Sequence, residues 1–505
     1  MDGGTMKFIR VALLNSSIIL IGLINITSAQ LPPIYIYNSG KGQEFGQAIS
    51  SAGDVDNDNF DDIIVGAPYN DSPGKVFVYS GQSGNPIWII NGETFADEFG
   101  FAVTSASDLD SDGYSDFAVG APNYNGLSLG WPEHSGRIYV FSGFTGDTLY
   151  TFTGQSENER CGHSISLNPH SVYSDFYHLL VGAPFSGIEN SGAVHAIQAD
   201  IGVWLGTIDG DDVGGSVVGE RFGWAICPVI KSNQWGFNNH LYSAPFNDIN
   251  GINAGAVYMQ FEAIPPSWES VHGFGAGDQL GYSIASAGDV GHNDWGDYIA
   301  GAPYNDASGL DAGSAYIFEP IDYLVKALNG ESAGDHFGIS VALAGDVNGD
   351  GFDDVIVGAP GNDAGGSMAG RAYVFSGKTS EMDLIRTFTG VAGENLGTKV
   401  AGAGDVNNDG YDDLIVSAVN LPQFGGRVYV YRGSCCVGNQ GDFNGDGDDA
   451  NTLDLTYGVN RIFRNGPPPP CTDEADLDFD EAFNILDLSL LINVIFRGDP
   501  PPGPC

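Results

Sequence analysis

The chain has 505 residues, with 74 Gly, 25 Pro and 42% hydrophobic residues, a composition of many short strands and turns and too long for one ordinary domain. Its 64 Asp and Glu against 18 Lys and Arg give a formal net charge of −46, which argues against nucleic acid as a partner, because phosphate binding needs basic patches. So acidic a chain either stays solvated by repulsion or neutralises part of its charge with cations.

At the start, Lys7 and Arg10 precede an apolar run from Val11 to Ile26, and Thr27-Ser28-Ala29 forms a small-residue cleavage pattern before Gln30. Residues 1–29 are expected to be an export signal. The competing reading is an uncleaved membrane anchor, against which stand Asn15, Ser16 and Ser17 and the shortness of the run. No later segment has the length of a membrane span, so none is expected after cleavage. Export would also permit disulfides among the six Cys.

Residues 30–434 read as seven copies of one unit. An aromatic- or leucine-glycine pair recurs at Phe45-Gly46, Phe99-Gly100, Phe222-Gly223, Leu280-Gly281, Phe337-Gly338 and Leu396-Gly397, with Cys161-Gly162 in the same place in the third unit. About twenty residues after each pair, an apolar run ends in Gly-Ala-Pro or a near copy, from Gly66-Ala67-Pro68 to Ser417-Ala418-Val419. Each unit has room for four strands. In the first, Ala48 to Val55 alternates, Asp62 to Ala67 is a nearly continuous apolar run as for a strand buried on both faces, Gly74 to Ser80 alternates, and Ile87 to Ile90 closes the unit. Four antiparallel strands repeated seven times are the arithmetic of an all-β, seven-bladed propeller. The seventh unit lacks its fourth strand, whereas Ile34 to Tyr37 stands before Phe45-Gly46 as Ile87 to Ile90 stands before Phe99-Gly100. The N-terminal strand is therefore expected to complete blade seven and remove two open edges.

Between the first two strands of unit one lie Asp54, Asp56, Asp58, Phe60 and Asp62 at positions 1, 3, 5, 7 and 9 of a tight loop. Four side chains and the Phe60 carbonyl can converge there, and hard oxygen donors at that density suit Ca²⁺. The pattern returns as Asp108, Asp110, Asp112 and Asp116, as Asp346, Asn348, Asp350 and Asp354, and as Asp405, Asn407, Asp409 and Asp413, with Gly113, Gly351 and Gly410 making the turns. Unit five keeps Asp289, Asn293 and Asp297 but has Gly291 at position 3, which leaves its metal open. Unit three has His170 and His178 at the first and last positions and unit four has Lys231 and Asn239, so neither is expected to bind metal.

The bracketed Asp-rich loops resemble the FG-GAP repeats of integrin α-subunit propellers, over roughly residues 31–434. The resemblance implies that the metal loops lie on the lower face and stabilise the ring. It also implies that a protein or glycan ligand binds the upper face, built from loops between second and third strands and between blades. Tyr124 to Ser135, with Trp131, and Phe185 to Ser191 are candidates there, although Trp131 could equally pack on its own blade.

Residues 435–440 read as a linker, and from Gly441 to Cys505 the character changes to two helix-compatible segments after Asp-rich loops. Asp476, Asp478, Asp480, Asn484 and Asp487 hold EF-hand-like positions 1, 3, 5, 9 and 12. Asp442, Asn444, Asp446, Asn451 and Asp454 form a looser copy 34 residues earlier, with one extra residue. Leu488, Leu491, Ile492 and Ile495 share one helical face. Such paired loops resemble a type I dockerin, a small α-helical module that implies folding on Ca²⁺ and docking to a cohesin-type receptor. Cys435, Cys436, Cys471 and Cys505 suggest a disulfide staple in this region, with the pairing open.

No catalytic constellation is visible. Gly126-Leu-Ser128-Leu-Gly130 matches a nucleophile-elbow pattern but falls between two propeller strands instead of at a strand-turn-helix. The sequence thus points to a secreted or cell-surface calcium-binding protein of adhesion type. The alternative is a component of an extracellular polysaccharide-degrading system delivered by its dockerin.

Overall fold

The computed structural model describes residues 33–433, apart from 39–43, 69–72, 126–132, 169–176, 214–218, 230–238, 262–266, 294, 321–322, 381 and 420–424. The export signal, the dockerin-like module, the Gly126 to Gly130 motif, Trp131, His170 and Lys231 lie outside the described residues. Within them the chain forms seven four-stranded antiparallel sheets, each a blade. Blades one to six occupy residues 48–91, 102–153, 164–209, 226–272, 283–329 and 340–389 in order.

The first strands are innermost, each packing on the first strand of the next blade until that of blade seven, Leu396–Gly404, meets that of blade one, Ala48–Gly53. The ring is closed. The second strands are the apolar runs: Asp62–Ala67, Asp116–Ala121, Asp297–Ala302, Asp354–Ala359 and Asp413–Ala418 are buried at every residue. Third strands such as Lys75–Tyr79 expose little beyond their first residue, and fourth strands such as Pro86–Asn91 lie half in solvent. The hydrophobic core lies between neighbouring blades. One such cluster joins Val428 and Val430 of blade seven to Ile63, Val65 and Tyr79 of blade one.

Blade seven consists of Leu396–Gly404, Asp413–Ala418, Arg427–Tyr431 and, as its fourth strand, Tyr35–Asn38. Tyr35 pairs with Val430 and Tyr37 with Val428. The same strand grips blade one, because the Tyr37 ring stacks on Tyr79 with centroids 3.9 Å apart and the Tyr35 hydroxyl donates to the Gly81 carbonyl at 2.9 Å.

The two repeated glycines meet across blades. A Cβ on Gly66, in the Gly-Ala-Pro of unit one, would stand 2.0 Å from the carbonyl oxygen of Gly100, in the Phe-Gly of unit two. Gly100 itself has φ +93°, where side chains are strained. Backbone packs on backbone in the same way where Gly120, Gly182, Gly301 and Gly358 meet the next unit, whereas Ser243 and Ser417 take this place in units four and seven. Phe45, Phe99, Phe222 and Phe337 beside these glycines are fully buried.

Acidic loops on one rim and an aromatic arc on the other

Each first strand runs from its Phe-Gly end to its Asp-rich loop, so the acidic loops share one rim of the ring, here the lower, and both glycine motifs share the upper rim.

The loops of units one, two, six and seven use one hydrogen-bond scaffold. In unit one the Asp58 and Asn59 amides donate to the two carboxylate oxygens of Asp54, each at 2.9 Å, and the Phe60 amide donates to Asp58 Oδ1 at 3.0 Å. Asp62 takes the Val55 amide on Oδ2 at 2.7 Å and the Gly81 amide on Oδ1 at 2.9 Å. The same bonds recur around Asp108, Asp112 and Asp116, around Asp346, Asp350 and Asp354, and around Asp405, Asp409 and Asp413. Positions 4 and 6 take left-handed backbone, as at Asn57 (φ 58°) and Asn59 (φ 69°), or Ser111 and Gly113. That turn wraps the loop so that its odd positions point inward.

The result is a crowd of oxygens. Ligand atoms of Asp54, Asp56 and Asp58 lie within 4.8 Å of one another, as do those of Asp108, Asp110 and Asp116. Among the described residues Asp56 Oδ1 and Asn407 Oδ1 are buried without a hydrogen-bond partner, an arrangement that costs free energy unless another group satisfies the oxygen. Burial pushes Asp62 and Asp354 up to about 7, Asp116 up to about 6 and Asp413 up to about 8, against the pull of their backbone amides. Burial, then repulsion from Asp58 and Asp54, likewise raises Asp56. An all-oxygen donor set with unsatisfied members fits a hard divalent cation.

Three further residues on this rim were not foreseen from the sequence. Asp412, at position 8 of unit seven, accepts the Asp346 amide of unit six at 2.8 Å, and Asp61 of unit one accepts an amide from Asp405 of unit seven. These two carboxylates tie the loops of units seven and one to the loops before them. In unit five, Asp289 and Asn293 keep the scaffold, and the missing side chain of Gly291 is replaced from elsewhere. Glu319, at the end of the third strand, places Oε1 2.8 Å from where a Gly291 Cβ would be. Asp297 Oδ1 is buried there without a partner, and burial, with repulsion from Glu319 and Asp289, pushes Asp297 up to about 7. In units three and four, His178 and Asn239 begin the second strands, so the ninth position carries no carboxylate.

On the upper rim, aromatic rings that follow the glycines and prolines of successive units form an arc, which ends on His336, just before Phe337-Gly338. Phe101 meets His163 at 4.9 Å between centroids, His163 meets Trp224 at 4.5 Å, and Trp224 meets Phe246 at 5.5 Å and Tyr282 at 5.7 Å. Tyr282 then meets Tyr304, and Tyr304 meets His336. Two guanidiniums lie in this arc. Arg160 and Arg221 both stack on Phe185, at 4.7 and 4.8 Å, and Arg221 also covers Phe246 at 4.1 Å. Neither forms an ion pair with a carboxylate among the described residues. Phe185 is the one arc member the sequence singled out.

The architecture and the paired rims define an integrin-α-like seven-bladed β-propeller. The FG-GAP repeat model matches residues 45–79, 99–141, 337–375 and 396–431, the same four units that carry complete acidic loops. The chain is 41% identical over 145 residues to integrin alpha-PS5 of Drosophila melanogaster, covering 27% of this chain and 14% of that protein. It is 32% identical over 161 residues to integrin alpha-4 of Xenopus laevis, covering 31% and 15%. It is 27% identical over 413 residues to phosphatidylinositol-glycan-specific phospholipase D of Bos taurus, covering 70% of this chain and 48% of that protein. The matched stretches thus fall well short of two thirds of any of these relatives. Among the described residues no helix is long and apolar enough to cross a membrane.

Proposed function

We propose that this protein is an extracellular binding protein of adhesion type whose ring is stabilised by Ca²⁺ on the lower rim and whose ligand, a protein or glycan, sits on the upper rim. The observation that carries the reading is the upper arc. Half-buried Trp224, Phe185 and Phe246 surround two arginines that form no ion pair among the described residues, in a chain of net charge −46. Arginine and aromatic residues are the usual anchors of binding surfaces. Ca²⁺ would be held by Asp54, Asp56, Asp58 and Asp62 with the Phe60 carbonyl, and by the matching sets of units two, six and seven. Its charge would offset the crowding that raises Asp56 and Asp62.

The role is binding, not turnover. Export rests on residues 1–29, and docking to a cohesin-type receptor rests on the sequence spacing of Asp442 to Asp454 and Asp476 to Asp487. The test is capture of ligands by the calcium-loaded chain from extracellular protein and from a glycan array, alongside Arg221→Ala and Trp224→Ala variants. Capture that both variants abolish, with the captured molecule unaltered, supports the reading. Capture unaffected by both variants refutes the upper-rim assignment, and release of cleaved glycan would favour the polysaccharide-acting alternative.

A further inference from the structure

Unit three departs from the other six at two positions that touch. Where other units put Phe99 against Tyr139, or Phe337 against Tyr373, with ring centroids 5.2 and 5.3 Å apart, unit three puts Cys161 against His195. A carboxylate, Glu159, stands beside them. All three side chains are buried: Glu159 is 1% exposed, Cys161 0% and His195 3%. Their ligand atoms lie within 4.8 Å of one another. A position held elsewhere by Phe or Leu and one held elsewhere by Phe or Tyr have thus been exchanged, in one blade, for a thiol and an imidazole beside a carboxylate.

From this geometry we propose that Glu159, Cys161 and His195 form a zinc site that clips blade three together. Among the described residues His195 Nε2 is buried without a hydrogen-bond partner, and it lies 3.5 Å from Glu159 Oε1, which accepts the Gln155 amide at 2.5 Å. Two donors each about 2.0–2.1 Å from a tetrahedral Zn²⁺ stand about 3.4 Å apart, so the nitrogen and oxygen are spaced as ligands of one ion. His195 Nδ1 meets Thr207 Oγ1 at 2.8 Å. With the proton on Nδ1, the Nε2 lone pair is turned toward Cys161 and Glu159, the outer-shell arrangement usual for a metal-bound histidine. Thiolate and imidazole select Zn²⁺ over Ca²⁺, and the site is at the upper, Phe-Gly end of the blade, so it is chemically and spatially distinct from the acidic loops. The fourth coordination position falls to a water or to the second Glu159 oxygen.

The site has a structural rationale. Blade three lacks both the Phe of its Phe-Gly pair and the ninth-position Asp of an acidic loop, having Cys161 and His178 instead. A metal joining the segment before the first strand to the third strand restores the hold those groups supply elsewhere.

The experiment uses the full chain, stripped of transition metals, held in saturating Ca²⁺ and titrated with Co²⁺ as a spectroscopic probe and then with Zn²⁺. The expected result is one equivalent of Co²⁺ with tetrahedral ligand-field absorption and a thiolate-to-cobalt charge-transfer band, displaced by Zn²⁺, with a rise in melting temperature on adding Zn²⁺. Cys161→Ser should lose the band and the rise, whereas Cys227→Ser should keep both. A Cys161→Phe/His195→Tyr variant rebuilds the aromatic pair of the other blades and serves if Cys161→Ser does not fold. It should fold and melt independently of Zn²⁺. Absence of a thiolate band in the wild type overturns the proposal, as does a band of unchanged strength in the double variant, which would belong to other cysteines.

Discussion

A glycine at a ligand position need not empty a site if a neighbouring strand supplies the carboxylate. Gly291 leaves room and Glu319 fills it, so unit five is expected to bind Ca²⁺ as a fifth propeller site. Glu319→Ala should lower the calcium stoichiometry by one without altering the other loops, and an unchanged stoichiometry would show that Glu319 only fills space. Glu220 poses a different problem. Among the described residues its Oε1 is buried without a partner, and burial raises its pKa, with Asp248 and Asp211 adding repulsion against the hydrogen bonds of Asn247 and Tyr258. A carboxyl whose folded pKa is raised favours the fold only while protonated, so its contribution is lost as pH rises through the folded value. Glu220→Gln should therefore match the wild type near pH 4 and unfold at higher denaturant concentration near pH 8. Equal midpoints at pH 8 would contradict this. At this scale the sequence was only partly legible. The loop carboxylates are close in the chain, and in units one and two their spacing brings ligand atoms together. Glu319 and the arc residues Trp224 and Phe246 come together only through the blades, and nothing local marks them. Asp61 and Asp412 did recur at position 8, and that recurrence was the signal available for them.

Among the elements, the fourth strand of blade seven tests how the ring is held. Tyr35–Asn38 covers the edge of Arg427–Tyr431 and stacks Tyr37 on Tyr79 of the next blade. Tyr37→Ala removes a ring that is 8% exposed and should cost about 3 kcal/mol. Deleting residues 30–40 should lower the melting temperature further, since it leaves the Arg427–Tyr431 ladder open. A deletion variant that melts like the parent would show that the ring does not depend on this strand. The closure was readable because seven third strands are followed by only six fourth strands, and Ile34 to Tyr37 occupies the vacant register. Strand ends were less exact: the first strand of unit one stops at Gly53 where alternation continued to Val55, because the chain turns there into the acidic loop. The helical reading of residues 441–505 falls outside the described residues.

Taken as a whole, the propeller concentrates repulsion on one rim, so divalent cation is expected to govern its stability. A group that binds only the folded state at a hundred times its dissociation constant adds about 2.7 kcal/mol. Asp350→Ala and Asp354→Ala should each lose one calcium equivalent and about that much stability in calcium. Chelation should reduce the difference between variants and wild type. Variants that lose stability equally with and without calcium would show that the loop is held by its hydrogen bonds alone. The whole-molecule reading was the most legible, because a period near 58 residues repeated seven times leaves little architectural choice, whereas the ligand is set by surfaces assembled from many units.

The closing strand also fixes an order of events during synthesis. Residues 35–38 emerge from the ribosome ahead of every other strand among the described residues, yet their partners, 427–430, follow nearly four hundred residues later. Until then blade one has no neighbour on one side, and Phe77, Tyr79 and Ile63 await the partners that cover them. A contact of such long sequence separation forms late, so the nascent ring is a growing arc with two sticky ends. Slow translation lengthens that exposure, and two chains made close together can exchange their first strands, each completing the other's last blade.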